Sequence, residues 1–499
     1  MGPPGPWGFP FQPPASAATT ATSKRALMHF HSLDYLLFLL LAVCGYWLVA
    51  KQAVLRLLFL FVMSCAFYMA WHPTYIVLIL GSCLLDYTVG LALGVVHRSG
   101  LRKFLLSLSL FGNLSLLGVF KYFNFFAEAV GDGLGLCGIQ VAVPHLEVLL
   151  PVGISFYTFQ TLSYTIDVYR GRLEPTRNFL RFAVFVTFFP QLVAGPIVRA
   201  SDLLPQLALQ PVLSTDRVGR ALFSIVTGLV KKVALADFVA LNLVDRVFAE
   251  PAAYSSAEVL MALYGYTLQI YCDFSGYTDV ARGSAMLMGL DLPENFDRPY
   301  QAQNPAEFWR RWHMTLSSWL RDYLYFPLGG SRAAPARAYF NLFTTMFLIG
   351  LWHGADWNFV VYGTIQGGAV VLHRMWVRRF GRPAEQTTLA VRVLKVLGTL
   401  HFVVLSRIFF RGADFGNSVA MFERLFDGSS GLGHLPQQGL VVLLIGMAAH
   451  YTPKRWWLSI EGLFVRLPAP GQAVVLAAVG AALMLVVSHE VVPYIYFQF

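Results

Sequence analysis

The sequence predicts an all-α, polytopic integral membrane protein, and three observations carry that prediction. Of its 499 residues, 56% are hydrophobic and only 13% charged, whereas soluble domains carry roughly a quarter charged residues. Phe, Tyr and Trp number 41, 22 and 11. The apolar residues gather in runs of about 17–25, the length that crosses a hydrocarbon core of roughly 30 Å as helix. A soluble globular protein is excluded.

The elements follow in order. Residues 1–27 are rich in Pro, Ala and Thr and have no apolar stretch long enough for a signal peptide, so a disordered N-terminal extension is expected there. Met28 is the expected true start, and 28–499 the membrane domain. Apolar runs then fall at about 33–50, 54–71, 74–96, 104–126, 149–166 and 182–198. Beyond 198 the alternation fails. Lys231 and Lys232 interrupt 221–241, and Asp273 and Asp279 fall late in 257–290. Charged segments persist at membrane depth only when buried in protein or lining a wet cavity, so re-entrant and interfacial pieces are expected here. Clearer runs return at about 338–354, 357–376, 391–410, 437–450 and 472–488. About eleven transmembrane helices result. No segment repeats at a fixed period and no broken helices match between halves, which weakens an inverted-repeat transporter reading.

The connections give an orientation. Alternate links are basic: Lys51 and Arg56, then HRSGLRK at 97–103, then Arg170, Arg172, Arg177 and Arg181. The link at 126–149 holds Glu128, Asp132 and Glu147 but no Lys or Arg. By the positive-inside rule the basic links are cytoplasmic and the N-terminus outside. The formal charge of +10 is then that of cytoplasmic loops, and nucleic acid is not an expected partner. Five scattered cysteines, 44, 65, 83, 137 and 272, form no CxxC pair and stand beside no histidine at ligand spacing, so no metal site and no disulfide framework are expected.

Three polar constellations are candidates for chemistry. In 304–323, Phe308, Trp312, Leu316, Leu320 and Tyr323 recur at helical spacing while Arg310, Arg311, Arg321 and Asp322 largely avoid them, which predicts one interfacial amphipathic helix. Its Trp and Arg residues suit membrane lipid headgroups, Arg310 and Arg311 also suit a phosphate-bearing donor, and Trp312 is a substrate-binding candidate beside them. His313 lies one turn after Trp309 and can point toward protein rather than lipid. The second constellation is GLWHGADWN at 350–358. A histidine flanked by glycines at the edge of a span is costly to bury unless used or hydrogen-bonded, so His353 is a candidate general base, with Trp352 and Asn358 beside it. The third is YCDFSGYTD at 271–279, where Asp273 and Ser275 either make a hydrogen-bonded helix contact or line a cavity that orients His353 or holds an acceptor. No Gly-rich phosphate loop and no GxSxG elbow is present.

Taken together, the stretches MHFHSL at 28–33, PVGISFYTFQ at 151–160, FPQLVAGPI at 189–197, DFSGY at 273–277, FWRRWHMTLSSW at 308–319 and LWHG at 351–354 resemble the membrane-bound O-acyltransferases, most closely their bacterial alginate O-acetyltransferase branch. The resemblance covers nearly the whole chain from Met28. It implies helices around a central funnel, with a thin layer where a cytoplasmic acyl thioester meets an acceptor from the other face. In that picture His353 matches the invariant catalytic histidine and His313 the second one. No cofactor is expected to stay bound. Acetyl-CoA or another acyl thioester is the expected donor, and an exopolysaccharide hydroxyl, or a periplasmic acetyltransferase partner, the acceptor. The bacterial inner membrane is the expected location. The same chemistry on cellulose, a teichoic acid or a lipid remains open, as does a transporter or flippase. Arg407 departs from a stretch that is more uniformly apolar in the family.

Overall fold

The computed structural model describes residues 28–381, 388–487 and 494–495, and each regular element among them is a helix. The extension expected at 1–27 lies outside the described residues. Many helix starts are set locally. Ser32, Asn178, Ser214 and Asp356 each accept a backbone N–H from the first turn, and Ser255 and Glu258 cap reciprocally, satisfying donors that a helix leaves open.

Among the described residues, four helices are long and apolar enough to cross a membrane: Pro73–Val95, Ser99–Leu136, Leu389–Arg411 and Ala469–Val486, while Leu33–Leu48 and Ala53–Met69 are shorter apolar helices. These are fewer than the eleven or so apolar runs. The run at 182–198 stops being helical after Thr187, resumes as the four-residue Phe189–Leu192 and then turns. Pro190 and Pro196 each lack the N–H a continuing helix needs. The run at 149–166 opens with Pro151 and with Gly153 at φ 75°, so its helix begins only at Ile154.

The long helix Ser256–Leu287 forms the centre, packed along Thr215–Leu229. Their backbones touch. A Cβ on Gly228 would lie 2.5 Å from the Gly276 carbonyl oxygen, and one on Gly276 would lie 2.7 Å from that of Gly228. Past this contact the chain widens into π-type turns over Val230–Asp237, and the charges that interrupt the two apolar stretches meet. Lys231 donates to Asp279 at 2.6 Å, and Lys232 pairs with both Asp237 and Asp273 at 2.7 Å. The expected shielding of these segments therefore arises by mutual neutralisation within protein.

One expectation is corrected. The segment 304–323 is not a single interfacial amphipathic helix but two short helices, Pro305–Arg311 and Met314–Leu320, broken at Trp312 and His313. His313 has φ 44°, in the left-handed region. The chain at 295–297 takes the backbone groups that a continuous helix would use, since Asp297 N donates to Arg311 O at 2.9 Å and Met314 N to Asn295 O at 3.0 Å. The residues Phe308, Trp312, Leu316, Leu320 and Tyr323 are all buried. Protein, not lipid, covers that stripe.

Candidate functional site

His353 is the last residue of Pro335–His353, which packs against Trp357–Phe380 at glycines: a Cβ on Gly350 would lie 2.5 Å from Phe359 O and 2.6 Å from Gly363 Cα. That contact sets the depth of the helix end. The carbonyls there, which no later turn can satisfy, are taken by another helix. Lys121 Nζ donates to Trp352 O at 2.6 Å and to His353 O at 3.0 Å, and the Tyr122 hydroxyl donates to Leu351 O at 2.8 Å. A cation also complements the negative pole of the helix. Both residues sit on a π-type turn, Gly118–Tyr122, inside Ser99–Leu136.

His313 and His353 are both buried against one indole. Trp352 lies 5.7 Å from the His313 ring and 5.1 Å from the His353 ring, centroid to centroid. Phe274 at 4.8 Å and Phe156 at 6.4 Å also pack on His313, and Phe410 at 4.9 Å packs on His353. Burial pulls the His313 pKa down to about 3, so its imidazole is neutral at pH 7 and offers one N–H donor and one acceptor nitrogen.

The other stretches singled out in the sequence converge here. The Trp319 indole N–H donates to Phe159 O at 2.8 Å and its ring stacks on Phe159 at 3.9 Å. Ile197 N donates to the Thr315 hydroxyl at 3.0 Å, and Ala194 N to the Tyr277 hydroxyl at 3.3 Å. A cavity of about 70 Å³ opens onto His353, walled by Lys121, Pro151, Gly153, Ser155, Phe156 and Trp352. It is room for a hydroxyl-bearing group or a few waters.

The remaining candidates separate. Arg310 is exposed and lines a cleft of about 1260 Å³ together with Arg321, His373, Arg374, Arg392 and Lys395. Arg311 instead bonds Glu307 through Nε at 3.0 Å and Nη2 at 2.8 Å, and lies 3.9 Å from Asp297. Trp312 is buried among Phe296, Phe308 and Arg407. Asn358 bonds Gly412 O at 3.3 Å, tying its helix to a neighbouring turn. Asp273 is engaged by Lys232 and by Ile495 N at 2.9 Å, and Ser275 is buried two residues on. No hydrogen bond among the described residues joins Asp273 or Ser275 to either histidine; Phe274, between them, supplies the contact.

Sequence reasoning missed Lys121, Tyr122 and the basic cleft residues Arg374, Arg392 and Lys395. For Lys121 a signal existed: a lone lysine inside an otherwise apolar run is expensive unless partnered. Among the described residues no group of three or more His, Cys, Asp or Glu side chains is placed to hold a metal ion.

Residues 170–409 match the membrane-bound O-acyltransferase family. The chain is 38% identical over 426 residues to a probable alginate O-acetylase of Pseudomonas aeruginosa, covering 84% of this chain and 79% of that one. It is 34% identical to a peptidoglycan O-acetyltransferase of Helicobacter pylori, over 77% of each chain. A teichoic acid D-alanyltransferase of Bacillus subtilis is 28% identical over 54% of this chain and 71% of its own.

Proposed function

This chain belongs to the membrane-bound O-acyltransferase family and is an O-acyltransferase, and from that premise we propose that it takes an acetyl group from a cytoplasmic thioester and passes it through the bacterial inner membrane toward hydroxyls of an exopolysaccharide, with acetyl-CoA as donor. The observation that carries the reading is the pair of buried imidazoles packed on Trp352, with a small cavity at His353 and a basic cleft beside Arg310. His353 removes the proton of the attacking hydroxyl; the oxygen adds to the thioester carbonyl carbon. His313 polarises that carbonyl. The adduct collapses, the ester forms, and the leaving thiolate takes the proton back from His353.

The two openings fit the charge-derived orientation. The cleft residue Arg321 is next to Asp322, whose carbonyl accepts from Arg170 of a basic, cytoplasmic link. The cavity at His353 is walled by 150–156, which follows the link with no Lys or Arg. Donor and acceptor thus approach from opposite faces. Arg310 with its basic neighbours suits the phosphates of the donor. Crossings up to about eleven are reached if helices such as Ile154–Tyr169, buried at every position but its last, count although they do not meet lipid. An alginate-like polymer is favoured over a teichoic acid by the higher identity to the alginate relatives, and a periplasmic acetyltransferase partner is the alternative immediate acceptor.

The test uses purified protein in nanodiscs with radiolabelled acetyl-CoA, following thioester loss and label arriving on alginate oligomers or a partner protein. His353→Ala should lose a factor of roughly 10² to 10⁴. Undiminished turnover in that variant would remove His353 from the mechanism. A thioester left intact by wild type as well would make a carrier protein the donor.

A further inference from the structure

Among the described residues, Arg56, Lys121 and Lys232 are held by carbonyls or carboxylates. Arg56 donates to three carbonyls, of Ala50, Leu207 and Leu209, at 2.8 to 3.3 Å. Lys121 holds two carbonyls and Lys232 two carboxylates. Arg407, at the break between Leu389–Ser406 and Ile408–Arg411, is 0% exposed. No carboxylate among the described residues pairs with it, and the phenol oxygens of Tyr300 and Tyr362 lie close enough to accept from its guanidinium. The polar groups facing it are the hydroxyls of Tyr266, Tyr300 and Tyr362, and Tyr300 gives its proton to Thr267 O at 2.6 Å. The guanidinium also lies against two rings, 4.8 Å from the centroid of Trp312 and 5.2 Å from that of Phe410.

Those two rings locate the charge. Trp312 immediately precedes His313, and Phe410 packs on His353 at 4.9 Å. Arg407 therefore touches the aromatic wall on both sides, through Trp312 next to His313 and through Phe410 against His353. A buried cation without a counter-ion is costly, and Met or Leu would fill the same space at less cost. Stacking on aromatic faces orients a guanidinium, and two neutral phenol partners leave the rest of its five N–H donors without an anion. Acyl transfer creates one where none stood before. The thioester is neutral, whereas its tetrahedral adduct carries a full negative charge on the former carbonyl oxygen.

We propose that Arg407 is the oxyanion-binding residue of this acyltransferase, its guanidinium N–H groups donating to the thioester carbonyl oxygen as the hydroxyl adds and that oxygen takes the electron pair of the C=O bond. The adduct returns the pair to carbon as the carbon–sulfur bond breaks, and Arg407 is charged throughout. A positive charge set in place beforehand favours the adduct over the neutral thioester, which is the condition for accelerating the step. The role rests on the reading of His353 as the base.

The experiment compares wild type, Arg407→Met, Arg407→Lys and His353→Ala in nanodiscs, measuring kcat and KM for acetyl-CoA hydrolysis by water and for transfer to alginate oligomers, with thermal unfolding of each variant. Hydrolysis and transfer share the oxyanion. Arg407→Met should lose about 10² to 10³ in kcat in both reactions, with KM values within about threefold and an unfolding midpoint at or above that of wild type. Arg407→Lys, which keeps the charge without the fork, should fall between. Normal hydrolysis with a raised KM for alginate alone would overturn the proposal and make Arg407 a reader of the acceptor carboxylate. Unchanged kinetics, or a loss that follows the loss of folded protein, would overturn it too. An inactive His353→Ala beside an active Arg407→Met would sink only the role of Arg407; two active variants would sink the base as well.

Discussion

The ammonium of Lys121 lies 3.0 Å from the backbone carbonyl oxygen of His353 and donates to it, while also holding Trp352 O at 2.6 Å. A helix end that carries a general base would otherwise leave these carbonyls open in a dry interior, where each unsatisfied group is costly. The contact acts on the backbone, so it sets where the imidazole stands without touching the imidazole nitrogens.

Lys121→Met should therefore lower kcat with little effect on donor affinity. A hydrogen bond from a charged group contributes about 1.5–3 kcal/mol. If half of that is expressed as misplacement of His353, kcat falls about three- to tenfold, since 1.4 kcal/mol is a factor of ten. Steady-state kinetics with acetyl-CoA check it. A rise in KM with unchanged kcat would mean that Lys121 serves the donor instead.

Gly350→Ala probes the same helix end from its other side. The added methyl would meet backbone atoms, Phe359 O at 2.5 Å and Gly363 Cα at 2.6 Å, which no side-chain rotation relieves. The helix Pro335–His353 must shift. Overpacking of this kind costs about 1–3 kcal/mol, read as a lower unfolding midpoint in detergent, and activity should fall further than stability because His353 moves with the helix. Normal kinetics in a destabilised variant would show that the site tolerates the shift.

How far the sequence was legible follows from where each signal lay. His353 stood out because glycine-flanked imidazole is anomalous at the edge of an apolar run, and the structure places it at a cavity wall. The break at Trp312 and His313 was hidden because the apolar spacing continues across it; only the distant Asn295 and Asp297, which capture the backbone groups, reveal it. Asp273 was legible as polar but not as paired, since Lys232 is 41 residues away and on another helix. Arg407 was visible as an anomaly, and its meaning needed the rings of Trp312 and Phe410 around it.

The Lys232 cluster gives a stability prediction. Lys232 neutralises Asp237 and Asp273 together, both at 2.7 Å. Lys232→Met would leave the buried Asp273 and the partly exposed Asp237 without a cation, and breaking a buried pair this way costs about 3–5 kcal/mol. Asp273→Asn keeps Asp237 opposite Lys232 and should cost less. In both variants the yield of folded protein should fall while KM for acetyl-CoA and for polymer holds, as measured on the folded fraction. A specific rise in polymer KM for Asp273→Asn would instead place Asp273 in the acceptor path.

The basic cleft predicts a dependence on salt and on the donor's phosphates. Arg310 is exposed there beside Arg374, Arg392 and Lys395, so its attraction for a nucleotide is screened over a Debye length of about 10 Å at 0.1 M salt. Arg310→Ala should raise KM for acetyl-CoA by about three- to tenfold at low ionic strength, on the scale of 1.4 kcal/mol per factor of ten, and leave kcat alone. The gap between variant and wild type should narrow as salt rises. A short thioester without phosphates, S-acetyl pantetheine, should show the same KM in both proteins, because its approach involves no anion for the cleft to hold. If Arg310→Ala weakened that neutral donor as much as acetyl-CoA, the arginine would be shaping the cleft rather than reading phosphate, and the donor's charged end would have to be bound elsewhere.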